Sequence, residues 1–80
     1  MERKYSKSRV AKKVGDLVDN LIHDRKAVLV EAHGYMEVYS IKSPEIAVVA
    51  RTGTDGTEVA TSYTAIGRKE DIGEFEKLLA

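Results

Sequence analysis

Apolar residues along this chain follow two spacings, and the change from one to the other outlines a fold. Between Ser8 and His23 they stand at Val10, Val14, Leu17, Val18, Leu21 and Ile22, an i, i+4, i+7, i+8, i+11, i+12 stripe that occupies one side of a helix. Ser6 or Ser8 is expected to accept a hydrogen bond from a free amide at the helix start. Gly15 is an internal weakness of about 1 kcal/mol relative to alanine. Arg25 and Lys26 suit the negative end of the helix dipole.

From residue 27 onward the period shortens to two. Residues 27–32 and 35–41 are rich in β-branched and aromatic side chains, and His33-Gly34 between them turns a hairpin because glycine accepts positive φ. A two-residue loop would set Val30 opposite Glu37. A three-residue loop pairs Val30 with Val38 and keeps one face apolar, and is the register expected. Lys42-Ser43-Pro44 breaks the pattern and residues 45–52 resume it, with the proline at a strand entrance where its missing amide does least harm. A type I′ turn at Asp55-Gly56 would then pair Thr52 with Val59, Ala50 with Thr61, Val48 with Tyr63 and Ile46 with Ala65. After Gly67, residues 69–79 place Ile72, Phe75, Leu78 and Leu79 on one helical face, with Glu70, Asp71 and Glu74 near the favourable positive end of the dipole.

The predicted fold class is α+β: a single two-layer domain over residues 1–80, in the order α-β-β-β-β-α. A four-stranded antiparallel sheet of two hairpins carries both helices on one face. Residues 1–7 form a basic, flexible N-terminal segment. The other sheet face is left open to water or to a partner.

Composition narrows the functional classes. A chain of 80 residues buries only about 60% of the surface it exposes when unfolded, and its core rarely supplies more than roughly 3–5 kcal/mol of net stability. Without cysteine there is no disulfide and no thiolate metal site, which fits a reducing, cytoplasmic setting. Self-association into a homodimer is the remaining common support. No stretch approaches the roughly 20 apolar residues of a membrane-spanning helix, and the charged N-terminus is unlike a secretory signal. Glutamine is absent and Asn20 is the lone asparagine, while charged residues are plentiful, a balance found in proteins of hot environments.

Formal net charge is zero, so the molecule as a whole exerts no long-range pull on nucleic acid or anionic membrane. The charge is nevertheless sorted along the chain. Arg3, Lys4, Lys7, Arg9, Lys12 and Lys13 face only Glu2 in the first thirteen residues, whereas Glu70, Asp71, Glu74 and Glu76 crowd the last eleven against Lys77.

Catalytic chemistry has little to draw on. His23 falls at a helix end, where a protonated ring suits the dipole. His33 can share a strand face with Glu31, but two ligands are too few for a metal and no metal-ligand spacing is present. The glycines of Thr52-Gly53-Thr54-Asp55-Gly56-Thr57 lack the lysine and the strand-to-helix setting of a phosphate loop. Ser43-Pro44 and Ser6/Ser8 read as turn and cap chemistry. The chain is expected to be no enzyme, with no catalytic residue, cofactor or metal.

Two features stand above this background. The basic head can neutralise phosphates and gain from counterion release. The open sheet face is expected to show Leu29, Glu31, Tyr35, Glu37, Tyr39, Val49, Arg51, Ser62 and Thr64. Tyr35 and Tyr39 near Arg51 there form a platform on which single-stranded bases stack, although Glu31 and Glu37 would repel phosphate. The expected function is a small non-enzymatic module that binds DNA or RNA through Arg3, Lys4, Lys7, Arg9, Lys12 and Lys13, with Arg51, Tyr35 and Tyr39. The alternative is a protein–protein interaction or homodimeric assembly module using the exposed sheet face. A regulatory domain with a small-ligand pocket between helix and sheet is a third possibility.

Overall fold

The computed structural model describes residues 1–52 and 60–80. Seven elements follow one another: β1 (Glu2–Tyr5), α1 (Ser8–His23), β2 (Ala27–His33), β3 (Met36–Ile41), β4 (Ile46–Thr52), β5 (Ala60–Ile66) and α2 (Lys69–Leu79). The α+β class holds, with one more strand than the sequence pattern predicts. The five strands form one antiparallel sheet in the order β1-β5-β4-β3-β2. Strands β2 to β5 run as a meander, and β1, taken from the segment expected to be flexible, pairs with β5 from Glu2↔Ile66 to Tyr5↔Tyr63. Four residues with a single apolar side chain carry too little periodicity to read as a strand; pairing with β5 makes them one.

Helix α1 takes the chain from one edge of the sheet to the other. Its 16 residues span about 24 Å, enough to cross five strands whose outermost members lie about 19 Å apart. One core cluster joins Val14, Val18 and Leu21 of α1 and Ile72 and Phe75 of α2 to Tyr5, Ala27, Ile41, Ile46, Val48 and Ala65 of the sheet. Both helices therefore lie on one face. Ile22 and Leu78, expected in the two stripes, are 37% and 49% exposed, because each sits at the margin of its helix's buried side.

The helix ends depart from the sequence reading. Neither serine caps α1: Lys7 is the N-cap residue, with no side-chain hydrogen bond, and its carbonyl accepts from the Ala11 amide. At the other end the Lys26 amide donates to the Leu21 carbonyl and the Arg25 amide to that of Ile22, with Arg25 at φ 62°. This is a Schellman stop, built on an arginine where glycine is usual.

Both hairpin registers are corrected. At the tip of the first, His33 pairs with Met36, Ala32 with Glu37 and Glu31 with Val38, while below it Leu29 pairs with Tyr39, Val28 with Ser40 and Ala27 with Ile41. Val30, expected opposite Val38, is instead the extra residue that shifts one register into the other. In the second hairpin Val48 pairs with Ala65 and Ala50 with Tyr63, two residues away from the expected register. A two-residue slip leaves every side chain on its own face, so the hydrophobic pattern is blind to it. The expected Thr52–Val59 pair and the Asp55-Gly56 turn lie outside the described residues.

Candidate interaction surface

Because directly opposed residues in a sheet point to the same side, the ladder pairs divide the strands into two faces. On the helix side stand Ile41, Ile46, Val48, Ala50 and Ala65, buried under α1 and α2. On the open side the pairings line up rows across the sheet. One row runs Val28, Ser40, Ala47, Ile66, Glu2, and the next Glu31, Val38, Val49, Thr64, Lys4. A third runs His33, Met36, Arg51, Ser62. On the inner strands of this face Met36, Val38, Ala47, Val49 and Ile66 stand among Ser40, Thr64 and the buried Ser62; Glu2, Lys4 and Glu31 stand on the edge strands and Arg51 near the end of β4, with Val28 49% and Ile66 44% exposed.

The residues expected to bind nucleic acid are not brought together. Lys4 and Arg51 lie on the open face, opposite Thr64 and Ser62 respectively. Arg9, Lys12 and Lys13 lie on the exposed side of α1, beyond the other layer of the molecule, with Lys7 at its start. Lys12 is paired with Asp16 at 3.2 Å. Arg3 points to the helix side and is held by Glu76 of α2 at 2.7 Å; the Tyr5 hydroxyl donates to the same carboxylate at 3.2 Å. Burial and the Glu76 carboxylate push the Tyr5 hydroxyl up to about 12.

The tyrosine platform is also corrected. Tyr35 is 57% exposed at the first hairpin tip, where its carbonyl accepts the Thr52 amide at 2.8 Å and ties the tip to β4. Tyr39 lies opposite the buried Val48 and packs against the core. Glu37, opposite Ala50, points to the helix side, as does Leu29 opposite Tyr39, although Leu29, on edge strand β2, is 49% exposed. Of the residues expected on the open face, Glu31, Val49, Arg51, Ser62 and Thr64 are there. Leu29, Glu37 and Tyr39 are not, because a bulge in β2 and the β3–β4 register set their direction.

The flank where Tyr39 meets α1 is acidic. Burial, then the Glu37 carboxylate, raises the Tyr39 hydroxyl to about 12, with Tyr63 and Asp19 adding to the effect. Tyr63 is raised by burial and by Asp19, Glu37 and Asp16. Asp16, Asp19 and Glu37 thus gather about the two tyrosine hydroxyls, with Asp16 paired to Lys12. Among the described residues no three histidine or acidic side chains converge as metal ligands. Glu31 and His33 do pair on β2, as their spacing suggested. Among the described residues no helix is long and apolar enough to cross a membrane.

What the structure defines as a class is a two-layer α+β sandwich with one sheet face uncovered. No family model matches the chain, and neither a curated protein nor a solved structure resembles it significantly.

Proposed function

We propose that the protein is a small non-enzymatic interaction and assembly module whose open sheet face docks a protein surface. The observation that carries this reading is the band of Val28, Met36, Val38, Ala47, Val49 and Ile66 across the uncovered face, bordered by Glu2, Lys4, Glu31 and Arg51. An apolar centre with a charged rim is the anatomy of a protein interface; in this band Val28 and Ile66 are exposed, and Met36, Val38, Ala47 and Val49 are half-buried with no helix over them. A cysteine-free chain of this composition suits the cytoplasm.

The test is a photo-crosslinking residue placed at position 49 on the open face, or at position 13 on the far side of α1. Crosslinks to protein from position 49 and none from position 13 are expected. Crosslinks from neither position, or from position 13 alone, overturn the reading.

A second reading, contact with DNA or RNA, retains one supporting observation. Lys7, Arg9, Lys12 and Lys13 are exposed along the start of α1, and among the described residues only Lys12 has a carboxylate partner. Such a cluster would bind backbone phosphates without sequence preference. Fluorescence anisotropy of labelled DNA and RNA tests it: the Lys7/Arg9/Lys12/Lys13→Ala variant is expected to bind more weakly and with a flatter salt dependence. Equal affinity of the wild type and that variant removes this site.

A further inference from the structure

Resting on the interaction reading, we infer that the partner docked on the open face is a second copy of this chain, packed sheet to sheet about a two-fold axis that runs along β4. The argument lies in the row Glu31, Val38, Val49, Thr64, Lys4. It spans all five strands, starts on edge strand β2 with an acid, ends on edge strand β1 with a base, and is uncharged between them. β4 is the middle strand of the order β1-β5-β4-β3-β2.

A two-fold axis along that middle strand lays β4 on β4 of the second copy, β3 on β5, and β2 on β1. It superposes the row on its own reverse. Glu31 of each copy then faces Lys4 of the other, and Val49 meets Val49 at the centre. This row, taken apart from Arg51 of β4, which the same axis brings near its own copy, is thus self-complementary in charge under one symmetry operation, as an isologous interface requires. A row with the same charge at both ends would repel itself under this operation.

Geometry permits the contact. Stacked sheets lie about 10 Å apart at an angle near 30°. Glu31 and Lys4, each about 10 Å from the axis, are then displaced from one another by roughly 5 Å, within reach of the long lysine side chain. Five strands of this length offer on the order of 600 Å² per copy, about 1,200 Å² in total, at the lower end for a specific dimer. Arg9, Lys12 and Lys13 remain outside the contact, on the far side of each copy's helical layer.

Sedimentation equilibrium on the full chain tests the arrangement. The wild type is expected to run at twice the 8.9 kDa chain mass. Val49→Glu, and independently Thr64→Arg on the same row, are expected to run as monomers while keeping a native far-ultraviolet spectrum and cooperative melting. Lys4→Glu and Glu31→Lys each create two like-charge contacts per dimer and are expected to weaken association about tenfold or more. The double exchange Lys4→Glu/Glu31→Lys restores it to within about threefold of wild type. That rescue is the signature of Glu31 facing Lys4 across the axis.

A monomeric wild type at about 200 µM, roughly two hundredfold above a micromolar dissociation constant, overturns the homodimer. Crosslinks from position 49 to a different protein would then leave the interaction reading standing. A dimer that persists in Val49→Glu and in Thr64→Arg overturns both. A dimer broken by those variants but not rescued by the double exchange overturns the two-fold along β4 and leaves the interaction reading in place.

Discussion

The hydroxyl of Tyr63 on β5 lies over Gly15 of α1 so closely that a Cβ built on the glycine would stand 2.7 Å from it and 3.3 Å from the ring carbon that bears it. Gly15 is therefore a point of close approach between helix and sheet, where helix propensity alone reads a defect. Gly15→Ala gains about 1 kcal/mol of propensity and loses more by forcing a half-buried ring aside, at about 1–3 kcal/mol for overpacking. The net outcome expected in urea unfolding is destabilisation of about 1 kcal/mol. Tyr63→Phe removes the nearest atom, so Gly15→Ala in that background should be neutral or stabilising. A double-mutant cycle with no coupling would deny the contact its role.

Arg25 closes α1 with φ at 62°, a conformation that costs a side-chain-bearing residue roughly 1–2 kcal/mol. Arg25→Gly removes this strain and retains both backbone hydrogen bonds of the stop. Stabilisation by about 0.5–1 kcal/mol is expected, reduced from the full strain by the greater unfolded-state freedom of glycine. Chemical denaturation measures it directly, and a lower midpoint for the variant would contradict the assignment.

Val30 should be dispensable. It is 57% exposed and is the extra residue between two stretches of ladder that differ by one step. Removing it brings Glu31 next to Leu29, joins the two registers into one, and keeps the alternation of faces on both sides. Deletion of Val30 is expected to leave the fold intact, with a loss below about 2 kcal/mol. Deletion of neighbouring Val28 places Ala27 where Val28 stood and turns its side chain out of the core. Circular dichroism and thermal melting of the two deletions should differ sharply.

Glu76 is the one carboxylate that holds both Arg3 and the Tyr5 hydroxyl, and so fastens β1 to α2. Glu76→Gln keeps the size and removes the charge. A loss of about 1 kcal/mol is expected, modest because Arg3 is half exposed. Faster amide exchange confined to β1 would show where the loss falls, whereas uniform exchange across the sheet would not fit.

Alkali should unfold the domain through its tyrosines. Tyr5 and Tyr39 are raised from 10.0 to about 12, so the folded state keeps their protons longer than the unfolded chain. Their contribution is fully present below pH 10 and is lost as pH rises from about 10 to 12, because the unfolded state ionises first and is stabilised by it. Melting temperature should fall across that window. The fall should be shallower in Tyr5→Phe and in Tyr39→Phe, and equal slopes in wild type and both variants would assign the alkaline transition elsewhere.

The sequence by itself determined the α+β class, α1 and α2 with most of their buried residues, and the strands of the meander, because periods of 3.6 and two are local properties that survive without a partner. It also determined which residues of β4 and β5 face the helices, since side-chain alternation is unchanged by a register error of two. Only the tertiary structure decided that residues 2–5 are a strand, because a short edge segment takes its conformation from the neighbour it pairs with. The same holds for Tyr39: its side was set by the β3–β4 ladder and by the bulge at Val30, neither of which leaves a mark on hydrophobic spacing. The basic residues were legible as a group in the chain, yet α1 carries Arg9, Lys12 and Lys13 to one side of the molecule while Lys4 and Arg51 stay on the other. Nearness in sequence does not survive a chain that crosses its own sheet, and the row from Glu31 to Lys4 joins residues that only five strands in register could bring into line.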